Sequence, residues 1–193
     1  MPSSKVIGEG SYGCVHKPAL KCKNKNYDPD PNNVSKLLIK RHADAELKEF
    51  KLIQKADKKE DFYLGEPDSC DVDKGEKNKT AINDCRRFDS KNINNYKLLL
   101  LKNGGADLTG IEDKFKSMPE NRLTARKMEE FWLDMSRILY GSKVLMDKKF
   151  VHHDLKQQNI VYNEKNGRVN FIDFGLMTDK TKMLKKAYSS HYP

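Results

Sequence analysis

Between residues 5 and 20, apolar and polar positions alternate on both sides of a glycine cluster in KVIGEGSYGCVHKPAL, a pattern that predicts two strands joined by an exposed glycine-rich turn. The polar stretch KCKNKNYDPDPNN reads as a loop from its Asp-Pro and Asn content, and VSKLLI as a short strand. In ADAELKEFKLIQKAD, Leu47, Phe50, Ile53 and Ala56 recur near the helical period, which predicts a helix of about four turns at 3.6 residues each. From Gly65 to Asn95 the chain turns to Asp, Lys, Asn and Ser, and this stretch is expected to be a mobile insertion. The run YKLLLLK predicts a buried strand, followed by a flexible joint in NGGADL. A long helix is expected over KMEEFWLDMSRILYGSKVLMDKKF, with Met128, Phe131, Trp132, Met135, Ile138, Leu139, Leu145 and Met146 on one stripe. Past it, NIVYN, EKNG and RVNFIDFG read as strand, turn and strand.

Composition narrows the classes. The 193 residues suit one ordinary domain or two small ones, and a hydrophobic content of 37% can build a core. The net charge of +9 comes from lysines spread along the chain without a dense basic block or interleaved aromatics, so no nucleic-acid partner is expected. There is no signal-type apolar segment and no run near the ~18 apolar residues of a membrane span, so a soluble, cytoplasmic protein without a membrane partner is expected. Cys14, Cys22, Cys70 and Cys85 show no C-x-x-C spacing, which suggests reduced thiols and neither a zinc knuckle nor a disulfide framework. The sequons at Asn33 and Asn78 are then coincidental.

The chemistry concentrates in three places. GEGSYGCV fits G-x-G-x-x-G-x-V at Gly8, Gly10, Gly13 and Val15; HHDLKQQN fits H-R-D-L-x-x-x-N with one substitution; DFG stands at Asp173, Phe174 and Gly175. A lone glycine triplet also serves dinucleotide sites, but there its last glycine opens a helix, whereas here the pattern continues as a strand. A lone His-His-Asp could be a core cluster or a transition-metal site, and Asn159 with FIDFG argues against both. With these motifs the chain resembles the eukaryotic-type Ser/Thr protein kinases, and its Lys- and Asn-rich style is similar to kinases of giant, mimivirus-like DNA viruses. The resemblance implies an α+β, bilobal kinase-like fold. A β-rich N-lobe would occupy residues 1–103, with the insertion at about 65–95, and a truncated α-rich C-lobe residues 104–193.

The same resemblance implies ATP and Mg²⁺ as cofactors and a protein Ser/Thr acceptor as substrate. Ile7, Gly8, Glu9, Gly10, Ser11, Tyr12, Gly13, Cys14 and Val15 would form the flap over the nucleotide, where missing Cβ atoms let backbone amides approach phosphate. Leu100 and Lys102 would also contact the nucleotide. Two lysines compete for the α- and β-phosphates; Lys36 is preferred, because Val34 beside it leaves room for the base and Lys40 crowds the coming helix. Glu49 would hold that lysine, with Glu46 one turn earlier as second choice. Asp154 would accept the hydroxyl proton, Lys156 neutralise the γ-phosphate, and Asn159 and Asp173 hold the metal, whose hard cation takes oxygen ligands.

Two departures qualify the resemblance. His153 stands where the family has arginine, which implies activation without obligatory loop phosphorylation, although Thr178, Thr181, Ser189 and Ser190 are candidate phosphosites. No A-P-E follows Gly175, so the exposed underside of the 127–149 helix is expected to need a regulatory protein partner. The alternatives are a pseudokinase or truncated nucleotide-binding module, and a small-molecule phosphotransferase, which shares an H-x-D…N loop.

Overall fold

The computed structural model describes residues 3–10, 12–24, 32–119, 122, 124–181 and 184. It is a mixed α+β structure with a sheet-rich N-terminal part, in two compact units: Met1–Phe50 with Gly65–Asn103, and Lys51–Leu64 with Gly104–Pro193.

The first unit is built on an antiparallel five-stranded sheet in the order β1 (Lys5–Glu9), β2 (Gly13–Lys17), β3 (Asn33–Ile39), β5 (Tyr96–Lys102), β4 (Asp68–Asp71). Its first two strands are the expected glycine hairpin. β3 and β5 pair in unbroken register from Asn33↔Lys102 to Ile39↔Tyr96, so the pleat sorts their side chains onto two faces. Leu37, Leu98 and Leu100 join Cys14, Ala81, Ile82, Phe88 and Ile93 on one face. Leu38 and Leu99 pack on the other with Ala43 and Leu47 of α1 (Lys40–Ala56). The alternating and continuous apolar runs thus become a sheet buried on both sides, which is why β5 shows no polar alternation.

Two expectations fail in this unit. The stretch 65–95 is folded: it carries β4, α2 (Glu76–Asn83) and a 3₁₀ turn at Ser90–Asn95, and it buries Val72, Ala81, Ile82, Phe88 and Ile93. Its Asn78 side chain bridges Lys21 O and Asp73 O, each at 2.9 Å, and accepts from the Lys21 amide at 3.1 Å. The cysteines are not reduced thiols either. Cys14 is bonded to Cys85 and Cys22 to Cys70, across sequence separations of 71 and 48 residues. Such pairs leave no local spacing signature, because strand pairing and not chain proximity brings the sulfurs together. Closing loops of that length stabilises a fold by about 4 kcal/mol each in the chain-entropy account. Disulfides are characteristic of oxidising compartments, so the cysteine argument for a cytoplasmic setting falls away. Among the described residues no helix is long and apolar enough to cross a membrane.

The second unit holds a three-stranded sheet, β6 (Ala106–Asp107), β8 (Ile160–Asn163) and β9 (Arg168–Phe171), and a two-stranded pair, β7 (Phe150–Val151) with β10 (Thr178–Asp179). Asp107 caps α3 (Leu108–Ser117) by accepting from the Gly110 amide at 2.8 Å, and Thr124 caps α4 (Ala125–Asp147) through the Lys127 amide at 3.3 Å. Phe115, Phe131, Met135 and Ile138 pack on Ile111, Tyr162 and Val169. The single stripe expected on α4 is divided: Trp132, Leu139 and Met146 are 65%, 75% and 75% exposed. The loop after α1 is tied into this unit, since the Phe62 amide donates to Asp57 Oδ2 at 2.9 Å and the Phe171 amide to Phe62 O at 2.8 Å. Arg168 and Arg137 both donate to the Glu60 carbonyl, where the backbone has a positive φ of 56°.

Candidate functional site

In the first unit, the strand register lays out one row. Gly8 pairs with Val15, Val15 with Lys36 and Lys36 with Leu99, so these four positions share a sheet face, the face that α1 covers. Lys36 Nζ donates to Glu46 Oε1 at 2.8 Å, and both side chains are largely buried, at 17% and 10% exposure. The shown ion pair is therefore with the acid ranked second in the sequence, and Glu49 lies half-buried one turn further along α1. Glu46 falls three residues after buried Ala43 and four before buried Phe50, on the helix face that looks at the sheet. Lys40 instead meets Asp71 at 3.4 Å on the surface, which leaves Lys36 as the inward lysine of the two.

The hairpin itself is open at its tip. Ile7 and Tyr12 are 56% and 61% exposed, and the Gly10 amide donates to Gly13 O at 2.9 Å. A Cβ at Gly13 would come within 2.5 Å of the Leu37 carbonyl, so packing requires that glycine. Nothing comparable crowds Gly8 or Gly10, whose nearest neighbours would lie 3.9 and 3.7 Å away. Ser11 lies outside the described residues, as do Ser189 and Ser190. Leu100 is buried in the core on the face opposite Lys36, and Lys102 follows it in the alternation. Their side chains therefore leave the row of Gly8, Val15 and Lys36, and only their main chain remains for a ligand on that face.

The second unit gathers Asp154, Lys156, Asn159 and Asp173. Lys156 Nζ lies 2.8 Å from Asp154 Oδ2 and 3.1 Å from Oδ1. Asn159, buried at the end of the 3₁₀ turn Gln157–Asn159, donates its amide Nδ2 to Asp154 Oδ2 at 2.8 Å and to Asp154 O at 2.9 Å. The Lys156 ammonium above all, with help from the Asn159 amide, holds the Asp154 carboxyl below its ordinary range, so it is a carboxylate at neutral pH. With Nδ2 spent on Asp154, the Asn159 amide presents its oxygen elsewhere.

His152 positions this loop. Its Nε2–H donates to the Ile172 carbonyl at 3.1 Å, and its Nδ1 accepts from the Asp154 amide at 3.4 Å. The ring is buried against Phe171 and Phe174, and that burial pushes its pKa down, which favours the neutral form that can both donate and accept. The Ile172 amide also donates to Asn159 O at 3.0 Å. Asp173, exposed at a positive φ of 59°, is thus aimed by a turn whose neighbours on both sides are anchored. His153, also left-handed at φ 64°, reaches Thr178 Oγ1 with Nε2 at 2.8 Å, while β10 pairs with β7 through Thr178↔Val151. The contact the resemblance assigns to an arginine and a phosphate is made here between an imidazole and a hydroxyl.

The oxygen donors fit a small hard cation. Asn159 Oδ1 and the Asp173 carboxylate are the ligand types Mg²⁺ accepts, few in number and leaving positions for water and phosphate. Among the described residues, Glu9, Cys14 and Cys85 also place ligand atoms within 4.8 Å of one another, but the two sulfurs are bonded to each other.

No curated protein matches the chain. Residues 114–192, which carry α4, the His152–Asn159 loop and Asp173, match the family model of the ABC1 atypical kinase-like domain. That stretch is less than half of the chain, and over it the protein is similar to a kinase-like domain.

Proposed function

We propose that the protein binds ATP with Mg²⁺ and transfers the γ-phosphoryl group to Ser or Thr hydroxyls of proteins. The observation that carries this reading is the Asp154–Lys156–Asn159 cluster: an ionised acceptor carboxylate, a cation and an amide oxygen, locked into one loop by buried His152. Phosphoryl transfer asks the protein for positioning and charge and for little covalent chemistry. Asp154 orients the acceptor hydroxyl and takes its proton. Lys156 balances the γ-phosphate. Asn159 and Asp173 would hold the metal, which when bound would supply positive charge against the phosphates. Lys36, fixed by Glu46, supplies the cation for the α- and β-phosphates. The room at Gly8 and Gly10 supports phosphate approach, because the hairpin's own packing does not call for glycine there.

The loop Asp154–Asn159, DLKQQN, resembles the Ser/Thr-kinase form of this loop, and that resemblance supports a Ser/Thr hydroxyl as acceptor. The His153–Thr178 bond supports a post-Asp173 segment that is held without phosphate. The acceptor class is tested by offering γ-labelled ATP, Mg²⁺, basic and acidic proteins, and sugar and amine acceptors together. Label in phosphoserine or phosphothreonine is the expected result. Label only in a sugar or amine would make this a small-molecule phosphotransferase, and ATP binding without any transfer would make it a nucleotide-binding module.

A further inference from the structure

The folded 65–95 segment grips the glycine hairpin at its mouth. Glu9 and Cys14 are direct partners across β1 and β2, immediately outside the turn. One dipeptide after α2 holds both: Cys85 is bonded to Cys14, and the Arg86 amide donates to Glu9 Oε1 at 3.3 Å. The helix behind that dipeptide is fixed to the same sheet, since buried His16, two residues along β2 from Cys14, donates from Nε2 to the Ala81 carbonyl at 3.1 Å. The second disulfide, Cys22–Cys70, ties the start of the segment to the chain beyond β2. Beyond Glu9 and Cys14 the hairpin tip is exposed at Gly10 and Tyr12, and among the described residues its contacts there are the Gly10–Gly13 bond and a tilted ring contact between Tyr12 and His42.

We propose that the thiol–disulfide state of Cys14–Cys85 sets how firmly the glycine hairpin is held, and through that its affinity for nucleotide phosphates. This rests on the hairpin's role in the proposed function. In the switching step, a thiolate of a small dithiol attacks one sulfur of the pair and forms a mixed disulfide; its second thiolate displaces the protein sulfur. The Cys14–Cys85 bond breaks, two electrons come from the dithiol, which leaves as its own disulfide, and each cysteine ends as a protonated thiol. At the mouth of the turn the hairpin is then held to the segment by the Glu9–Arg86 bond and packing, with the His16–Ala81 bond further along β2 left in place. Cys14 and Cys85 are 0% and 1% exposed, so exchange proceeds through local opening of the segment, and binding of nucleotide to the oxidised hairpin opposes it.

The test compares the full chain oxidised and after dithiothreitol, reading ATP·Mg²⁺ affinity by calorimetry and amide exchange over residues 5–17. Reduction is expected to weaken ATP roughly five-fold or more, the lower end of ordinary coupling between sites, and to speed exchange in the hairpin. Cys85→Ala should reproduce the weak state without reductant and no longer respond to it, whereas Cys22→Ala/Cys70→Ala should still respond. Equal ATP affinity in the two states of the natural chain overturns the inference, as does a reduced chain that loses its far-ultraviolet circular dichroism, because the bond would then serve folding only. The natural chain decides even if a variant fails to fold. ATP binding in neither state would overturn the proposed function, and unchanged exchange over 5–17 would independently overturn the staple.

Discussion

Asp154 shares its loop with a cation and an amide that both point at its carboxylate, so its charge is settled before any substrate arrives. A general base of this kind is worth roughly 10²–10⁴-fold, whereas orientation of the reacting groups, which a bound metal would share in, can supply about 7–11 kcal/mol. Asp173→Asn is therefore expected to lower turnover at least as far as Asp154→Asn and, unlike it, to raise the Mg²⁺ concentration needed for half-maximal rate. Equal Mg²⁺ dependence in the two variants would contradict the assignment of Asp173 to the metal. In the first unit, Glu46→Gln should weaken ATP more than Glu49→Gln does, by calorimetry, because Glu46 makes the 2.8 Å contact with Lys36. Asp154, Lys156 and Asn159 were legible in the sequence because their spacing is local to one loop. That Lys36 pairs with Glu46 was not legible in the same way, because Glu46 and Glu49 both lie near the apolar stripe and the sheet decides which acid comes within reach of the lysine.

The strands and the long helices follow from periodicity, and their packing is close where the chain is small. A Cβ at Gly141 of α4 would come within 2.8 Å of the Phe62 ring and 2.9 Å of Phe171. Those aromatics cannot move without disturbing the Phe62–Phe171 backbone bond that anchors β9. Gly141→Ala is expected to destabilise the protein by about 1–3 kcal/mol despite the better helix propensity of alanine, read from the denaturant midpoint. A stabilised variant would show the helix contact to be looser than described. The 65–95 segment was the element least legible in the sequence. Its buried residues are few and separated by charged ones, and the partners that cover them lie in β2 and across two disulfides, all distant in sequence. The divided stripe of α4 has the same origin: apolar type was read from the sequence, but which positions find a neighbour is set by the rest of the unit.

Each unit also buries a histidine whose pKa is pushed down, mainly by burial: His16 in the first, His152 in the second. Groups kept neutral in the fold take up protons more readily when unfolded, so stability should be indifferent to them above their ordinary value of 6.5 and should fall as pH drops below it. A denaturant midpoint that declines from about pH 7 to about pH 5 is expected, and one that rises would contradict the burial of these rings. At this scale the α+β architecture could be read from the pattern and three motifs, whereas the pairing of all four cysteines could not, since no spacing announces it. The measurement that bears most directly on the account is ADP formation from ATP by the full chain with Mg²⁺ and a mixed protein acceptor, beside Asp154→Ala and Asp173→Ala. The account predicts turnover in the natural chain that both substitutions reduce by about 10²-fold or more. Turnover that survives both substitutions, or a folded chain with none, would contradict it.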